Sequence, residues 1–215
     1  MHDFIHKLIH QIKLGIPGVD AQYKMAPTRR LKPDESYYQK KQAAPKSSVL
    51  ILLYPKNNTI YFVLIERPKY QGTHSGQISF PGGKIDANDC SPTHTAIRET
   101  FEEIGVNISQ ENIIAELTSL YIPASNFEVF PFLAWCNYQP VFIPNRREVA
   151  AILETPISMI LDNKNISNIN VTIFNGLTYN VPCFNLSGKN VWGATAMILS
   201  ELKEIIKSSG AELYI

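Results

Sequence analysis

One stretch dictates what this chain can fold into: residues 74–106, HSGQISFPGGKIDANDCSPTHTAIRETFEEIGV. It predicts a short strand over 77–80, a glycine turn at Pro81-Gly82-Gly83, a loop, and a helix over 92–104. Ser91 followed by Pro92 supplies an N-cap with proline at the first helical position, and Gly105 supplies the stop. At about 100° per residue, Glu99, Glu102 and Glu103 fall within about 100° of arc. Ile97, Phe101 and Ile104 fall opposite, which predicts an apolar face packed on a core, with Phe101 in it and the acids turned to solvent.

Three clustered carboxylates repel one another, and Arg98, which can pair with Glu102 at i+4, neutralises only part of that charge. A hard divalent cation neutralises the rest. Mg²⁺ takes one or two carboxylates together with water and substrate phosphate, so the acidic face suggests metal-dependent chemistry on a phosphate compound. A solvated acidic face is the alternative. The acids sit near the C-terminal end of the helix, where the helix dipole disfavours anions. That placement fits acids kept for a ligand. The two glycines let the backbone approach a ligand closely, and a carbonyl from that turn can complete a metal shell.

Gly83, Arg98-Glu99-Thr100-Phe101-Glu102-Glu103-Ile104-Gly105-Val106 and the spacing between them resemble the Nudix box, a glycine, a spaced glutamate, then R-E-U-x-E-E-x-G-U with U a bulky aliphatic residue. Thr100 stands where an aliphatic residue is usual. An aspartate, Asp86 or Asp89, stands for the spaced glutamate, and the spacing to Arg98 is one residue longer. That lengthening is typical of the coenzyme A pyrophosphatase branch. Arg67, His74, Gly76, Gln77, Phe80, Pro81, Gly82, Gly83 and Asp86 are in register with the motif of that branch, while Ile65, Pro68 and Gln71 depart from it.

The resemblance implies an α/β fold, a Nudix-like α/β/α sandwich with a mixed β-sheet. It implies hydrolysis of the diphosphate of coenzyme A or its derivatives, giving 4′-phosphopantetheine and adenosine 3′,5′-bisphosphate. Mg²⁺ or Mn²⁺ is the implied cofactor, held by Glu99, Glu102, Glu103 and the Gly83 carbonyl. Arg98 joins the three glutamates as a catalytic residue by orienting Glu102 and holding the glycine loop. Arg67, His74 and Gln77 are candidate substrate contacts, with Arg67 the candidate reader of the 3′-phosphate. Glu148, from a later segment, is a candidate accessory acid. Two rivals stand beside this reading: a Nudix hydrolase for another substrate, such as ADP-ribose, and a non-enzymatic nucleotide sensor on the same fold.

The rest of the chain bounds the answer. With 215 residues, 45% of them hydrophobic, it is long enough for one domain with a real core. A net charge of +1 gives no general electrostatic case for nucleic acid or membrane, and the partner that the resemblance implies is a small molecule. Cys90, Cys136 and Cys183 are far apart, odd in number and lack C-x-x-C, which predicts reduced thiols and a cytoplasmic protein. No apolar run reaches the length of a membrane span, and His6, Lys7, His10 and Gln11 interrupt any signal-peptide core.

Ile5, Leu8, Ile9 and Ile12 predict an amphipathic helix over 4–14. Residues 15–46 lack a period and read as a surface arm, a candidate contact to a second copy in a homodimer; its Arg29, Arg30 and Lys32 are candidate phosphate contacts. The division is thus 1–46, helix and arm, and 47–215, the hydrolase domain. Runs 48–54 and 60–66 predict a hairpin about Lys56-Asn57-Asn58, and 113–120 and 129–135 predict further strands. Between the latter two, a polar-aromatic loop with Asn126 and Phe127 is a candidate substrate wall. Residues 144–161 read as helical from Arg147, with Glu148 opening the helix. A second hairpin is expected about Asn175-Gly176, and a closing helix over 193–207.

Overall fold

A computed structural model of the chain describes residues 1–27, 33–70, 74–172 and 176–211. The basic residues Arg29, Arg30 and Lys32 lie outside them, as does Asn175 of the second hairpin. In chain order the elements are α1 (His2–Leu14), α2 (Gly18–Tyr23), α3 (Glu35–Ala43), β1 (Lys46–Lys56), β2 (Thr59–Glu66), β3 (Ile78–Ser79), β4 (Gly82–Lys84), α4 (Pro92–Ile104), β5 (Ile113–Glu116), β6 (Leu120–Ile122), β7 (Phe127–Trp135), β8 (Ala151–Pro156), α5 (Ser158–Leu161), β9 (Ile166–Thr172), β10 (Thr178–Leu186), β11 (Lys189–Trp192) and α6 (Gly193–Ser208).

β1 is the spine. It runs parallel to β7 and antiparallel to β2 and β4, so the large sheet is mixed. Successive β-residues face opposite sides. Leu50, Leu52 and Tyr54 join Ala96 and Ile104 of α4 in one cluster; Ile51 and Leu53 join Leu8 of α1 and Leu199 and Leu202 of α6 in the other. Burial on both faces is why 49–53 reads as an unbroken apolar run rather than an alternating one. The α/β/α layering expected from the sequence is therefore present. The turn from β1 to β2 carries Asn57 and Asn58, both at positive φ, as a two-residue hairpin demands. β9, β10 and β11 form a separate antiparallel sheet.

Three expectations are corrected. Residues 15–46 are not a bare arm: they contain α2 and α3, and Asp34 caps α3 by accepting from the Tyr37 N–H. These helices have too few residues for a readable apolar period. Residues 144–161 are not a helix from Arg147. Instead 151–156 pair in register with β2, and only Ser158–Leu161 is helical. The open edge of β2 overrides the helix propensity of Ala and Glu there. Phe101 does not pack in the core: it is 57% exposed, while Thr95, Ala96, Thr100, Glu103 and Ile104 are buried. The helix is rotated so that Glu103 points inward. Thr100 tolerates burial because its hydroxyl donates to the Ala96 carbonyl at 2.7 Å.

Candidate metal centre

The acidic helix begins and ends as its sequence dictates. The Ser91 hydroxyl accepts from the His94 N–H at 3.1 Å, Pro92 follows, and Gly105 closes the helix in the left-handed region. β4 brings the glycine turn against it. A side chain at Gly83 would occupy the space taken by the Glu99 carboxylate, and one at Gly82 would strike the backbone of β1. Both positions need glycine for close approach. The Gly82 N–H donates to Glu103 Oε2 at 2.8 Å, so the turn is tied directly to the helix acids.

A third acid arrives from the far side. The Ile143 N–H donates to the Ile104 carbonyl and the Asn145 N–H to the Glu103 carbonyl, which fastens 143–145 to the end of α4. Asn145 Nδ2 then donates to Glu148 Oε1 at 3.0 Å. Glu99, Glu103 and Glu148 thereby offer carboxylate oxygens within 4.8 Å of one another. Glu102 is not in this group. It is 47% exposed and accepts from Arg98 Nη1 at 2.9 Å.

The electrostatics follow from burial. Glu103 is 2% exposed, and burial pushes its carboxyl up to about 8 against the pull of the Gly82 N–H and Arg67; Glu99 and Glu148 push it the same way as burial. The Glu99 carboxyl is also raised, first by burial, with Glu102 and Glu148 adding to it and Arg98 opposing. The sequence reading had Glu103 facing solvent; the buried N–H of Gly82 and the charge of Arg67 explain why it can lie inside.

Arg98 is the hub. Its Nε and Nη2 take both oxygens of Asp89 at 2.9 and 2.8 Å, and its Nη1 reaches Glu99 at 2.8 Å. Nη2 also reaches the Lys84 carbonyl at 3.4 Å, which ties the helix to the end of β4. Asp89 further accepts from the Thr95 hydroxyl and the Asp86 N–H. Arg98 holds the Asp89 carboxyl well below the usual carboxylate range. Of the two aspartates left open by the sequence, Asp89 is therefore the one that braces Arg98. Nothing in the local pattern singled it out, because the contact spans a loop whose path the sequence does not reveal.

The candidate substrate residues divide. Arg67 Nη2 donates to the Gly82 carbonyl at 3.4 Å, behind the glycine turn. His74 Nδ1 and Gln77 Oε1 lie 3.1 Å apart, so these two brace each other. Asn126 has positive φ and accepts from the Tyr121 hydroxyl at 2.9 Å. Phe127 opens β7, paired with Ile122. By register, Gly83 neighbours Ser48 on β1, and Ser48 neighbours Phe130 on β7, so the 126–127 turn lies toward the same end of the sheet as the glycines.

The family model described as NUDIX domain matches residues 44–167. The mouse protein named mitochondrial coenzyme A diphosphatase NUDT8 is 34% identical over 131 residues, covering 59% of this chain and 61% of that protein. Its human counterpart is 35% identical over 129 residues, covering 59% and 54%. The chain thus spans less than two thirds of the length of these curated relatives. Among solved structures, a MutT/nudix family protein from Enterococcus faecalis superposes with TM-score 0.55 at 18% identity, over 83% of this chain and 66% of that one, a likeness of fold.

Proposed function

This chain belongs to the NUDIX family, and from that premise we propose that it hydrolyses the diphosphate bond of coenzyme A or its derivatives. The products would be 4′-phosphopantetheine and adenosine 3′,5′-bisphosphate. The observation that carries the reading is the meeting of Glu99, Glu103 and Glu148 beside the glycine turn. Identity to the mouse and human coenzyme A diphosphatases, together with the 67–86 motif, supports the choice of substrate.

The donor set fits Mg²⁺ or Mn²⁺: three hard carboxylates converge, and burial makes at least one of them costly to ionise without a cation. Glu99, Glu103 and Glu148 would hold the ion with the Gly83 carbonyl, and Glu102 would join by turning from Arg98. When bound, the ion supplies Lewis-acid charge to the diphosphate oxygens and lowers the pKa of water. Arg98 fixes the rotamers of Glu99 and Glu102, braced in turn by Asp89. A carboxylate of the group accepts the proton of the attacking water. Arg67 holds the Gly82 carbonyl and offsets charge at Glu103. The cytoplasm is the compartment proposed from the number and spacing of Cys90, Cys136 and Cys183 in the sequence.

The test is substrate competition. The metal site treats coenzyme A and ADP-ribose alike, since both contain an adenosine diphosphate unit, so discrimination must come from groups beyond it. Coenzyme A should be preferred in kcat/KM by about tenfold or more, the worth of one charge-assisted contact. Equal or better cleavage of ADP-ribose would contradict the substrate choice and leave a diphosphate hydrolase of another specificity.

A further inference from the structure

Ser48 is fully buried in β1, and its hydroxyl has no hydrogen-bond partner among the described residues. A buried hydroxyl without a partner is costly and calls for a reason. Its place in the sheet supplies one. Leu50, Leu52 and Tyr54 face α4, and β1 keeps an unbroken register with β7 from Lys46 to Leu53, so Ser48 faces α4 as well. Ser48 pairs directly with Gly83, and directly opposed residues of an antiparallel pair share a face, with Cβ positions about 5 Å apart. The space that a Gly83 side chain would fill is the space the Glu99 carboxylate fills. The unpartnered hydroxyl therefore borders the pocket of Glu99, whose Oε1 is held by Arg98.

We propose that Ser48 is a positioning residue for the metal centre, its hydroxyl donating to Glu99 once a divalent cation has drawn that carboxylate from Arg98. The inference rests on the reading of Glu99, Glu103 and Glu148 as metal ligands. It implies a trade: the hydroxyl destabilises the cation-free protein and is satisfied in the loaded one. A serine with a merely structural role would do the first but not the second.

The experiment measures Mn²⁺ affinity by isothermal titration, and melting temperature without divalent cation, for wild type, Ser48→Ala and Thr155→Val. Thr155 is the matched control. It is another buried, unpartnered hydroxyl, but it pairs with Phe62 on the face toward α6. Both variants should melt about 2 °C or more above wild type without cation. Ser48→Ala alone should bind Mn²⁺ about tenfold more weakly. Unchanged Mn²⁺ affinity in Ser48→Ala would overturn the proposal. So would an equal loss in Thr155→Val, which would mean general loosening. Failure of wild type to bind Mn²⁺ is a separate result, which would remove the metal reading and the inference with it.

Discussion

At the scale of single residues, Glu103 is the most perturbed acid of the metal centre. Its carboxyl is raised from 4.5 to about 8 by burial, so the folded protein binds a proton there that the unfolded chain has released. Stability without cation should therefore fall as pH rises from about 4.5 to about 8, by up to about 1.4 kcal/mol per unit. Glu103→Gln keeps an acceptor for the Gly82 N–H and removes the charge. It should flatten that pH dependence in thermal melts, while cutting turnover by about 10²–10⁴-fold. A variant that melts like wild type at every pH would show that Glu103 does not titrate in this range. Phe101→Ala should change stability by less than about 0.5 kcal/mol, because the ring is exposed. The sequence disclosed that the helix glutamates share one side of the helix. It did not disclose the phase of that side, because a buried Glu is legible only from its partners, Gly82 of β4 and Arg67 just after β2.

At the element scale, α4 and β4 form one unit across the Gly83 contact. Gly83→Ala should leave the fold in place, since the obstructing group is the far end of the Glu99 side chain, yet displace that carboxylate. Mn²⁺ affinity should drop about tenfold or more by isothermal titration. Retained affinity would mean that Glu99 is not a ligand. The caps of α4 were legible because Ser-Pro and Gly act locally. β8 was not, because its strand state comes from the edge of β2 rather than from its own residues. Glu148 was legible only as a late acid; the backbone bonds from 143 and 145 to α4 that deliver it are long-range.

At the scale of the whole molecule, the first residues of the chain are part of the cover. Phe4, Ile5 and Leu8 of α1 enter the same cluster as α6. Gln22 of α2 donates to Glu201 of α6 at 3.0 Å and to the Thr118 carbonyl at 2.7 Å, deep in the protein. Gln22→Ala should cost about 1–3 kcal/mol in chemical denaturation by leaving buried acceptors unpaired, with no change in Mn²⁺ affinity. The layered architecture was legible from strands interleaved with amphipathic helices, but the second, three-stranded sheet was not, since hairpin signals do not say which sheet a strand joins. In the proposed function, these layers assemble an acidic metal centre that cleaves coenzyme A at its diphosphate. The most direct measurement is mass analysis of products from the purified protein with coenzyme A, with and without Mg²⁺. The expected products are 4′-phosphopantetheine and adenosine 3′,5′-bisphosphate in equal amounts, only with the cation; intact coenzyme A in its presence, or equal cleavage after its removal by chelation, would overturn the proposed function.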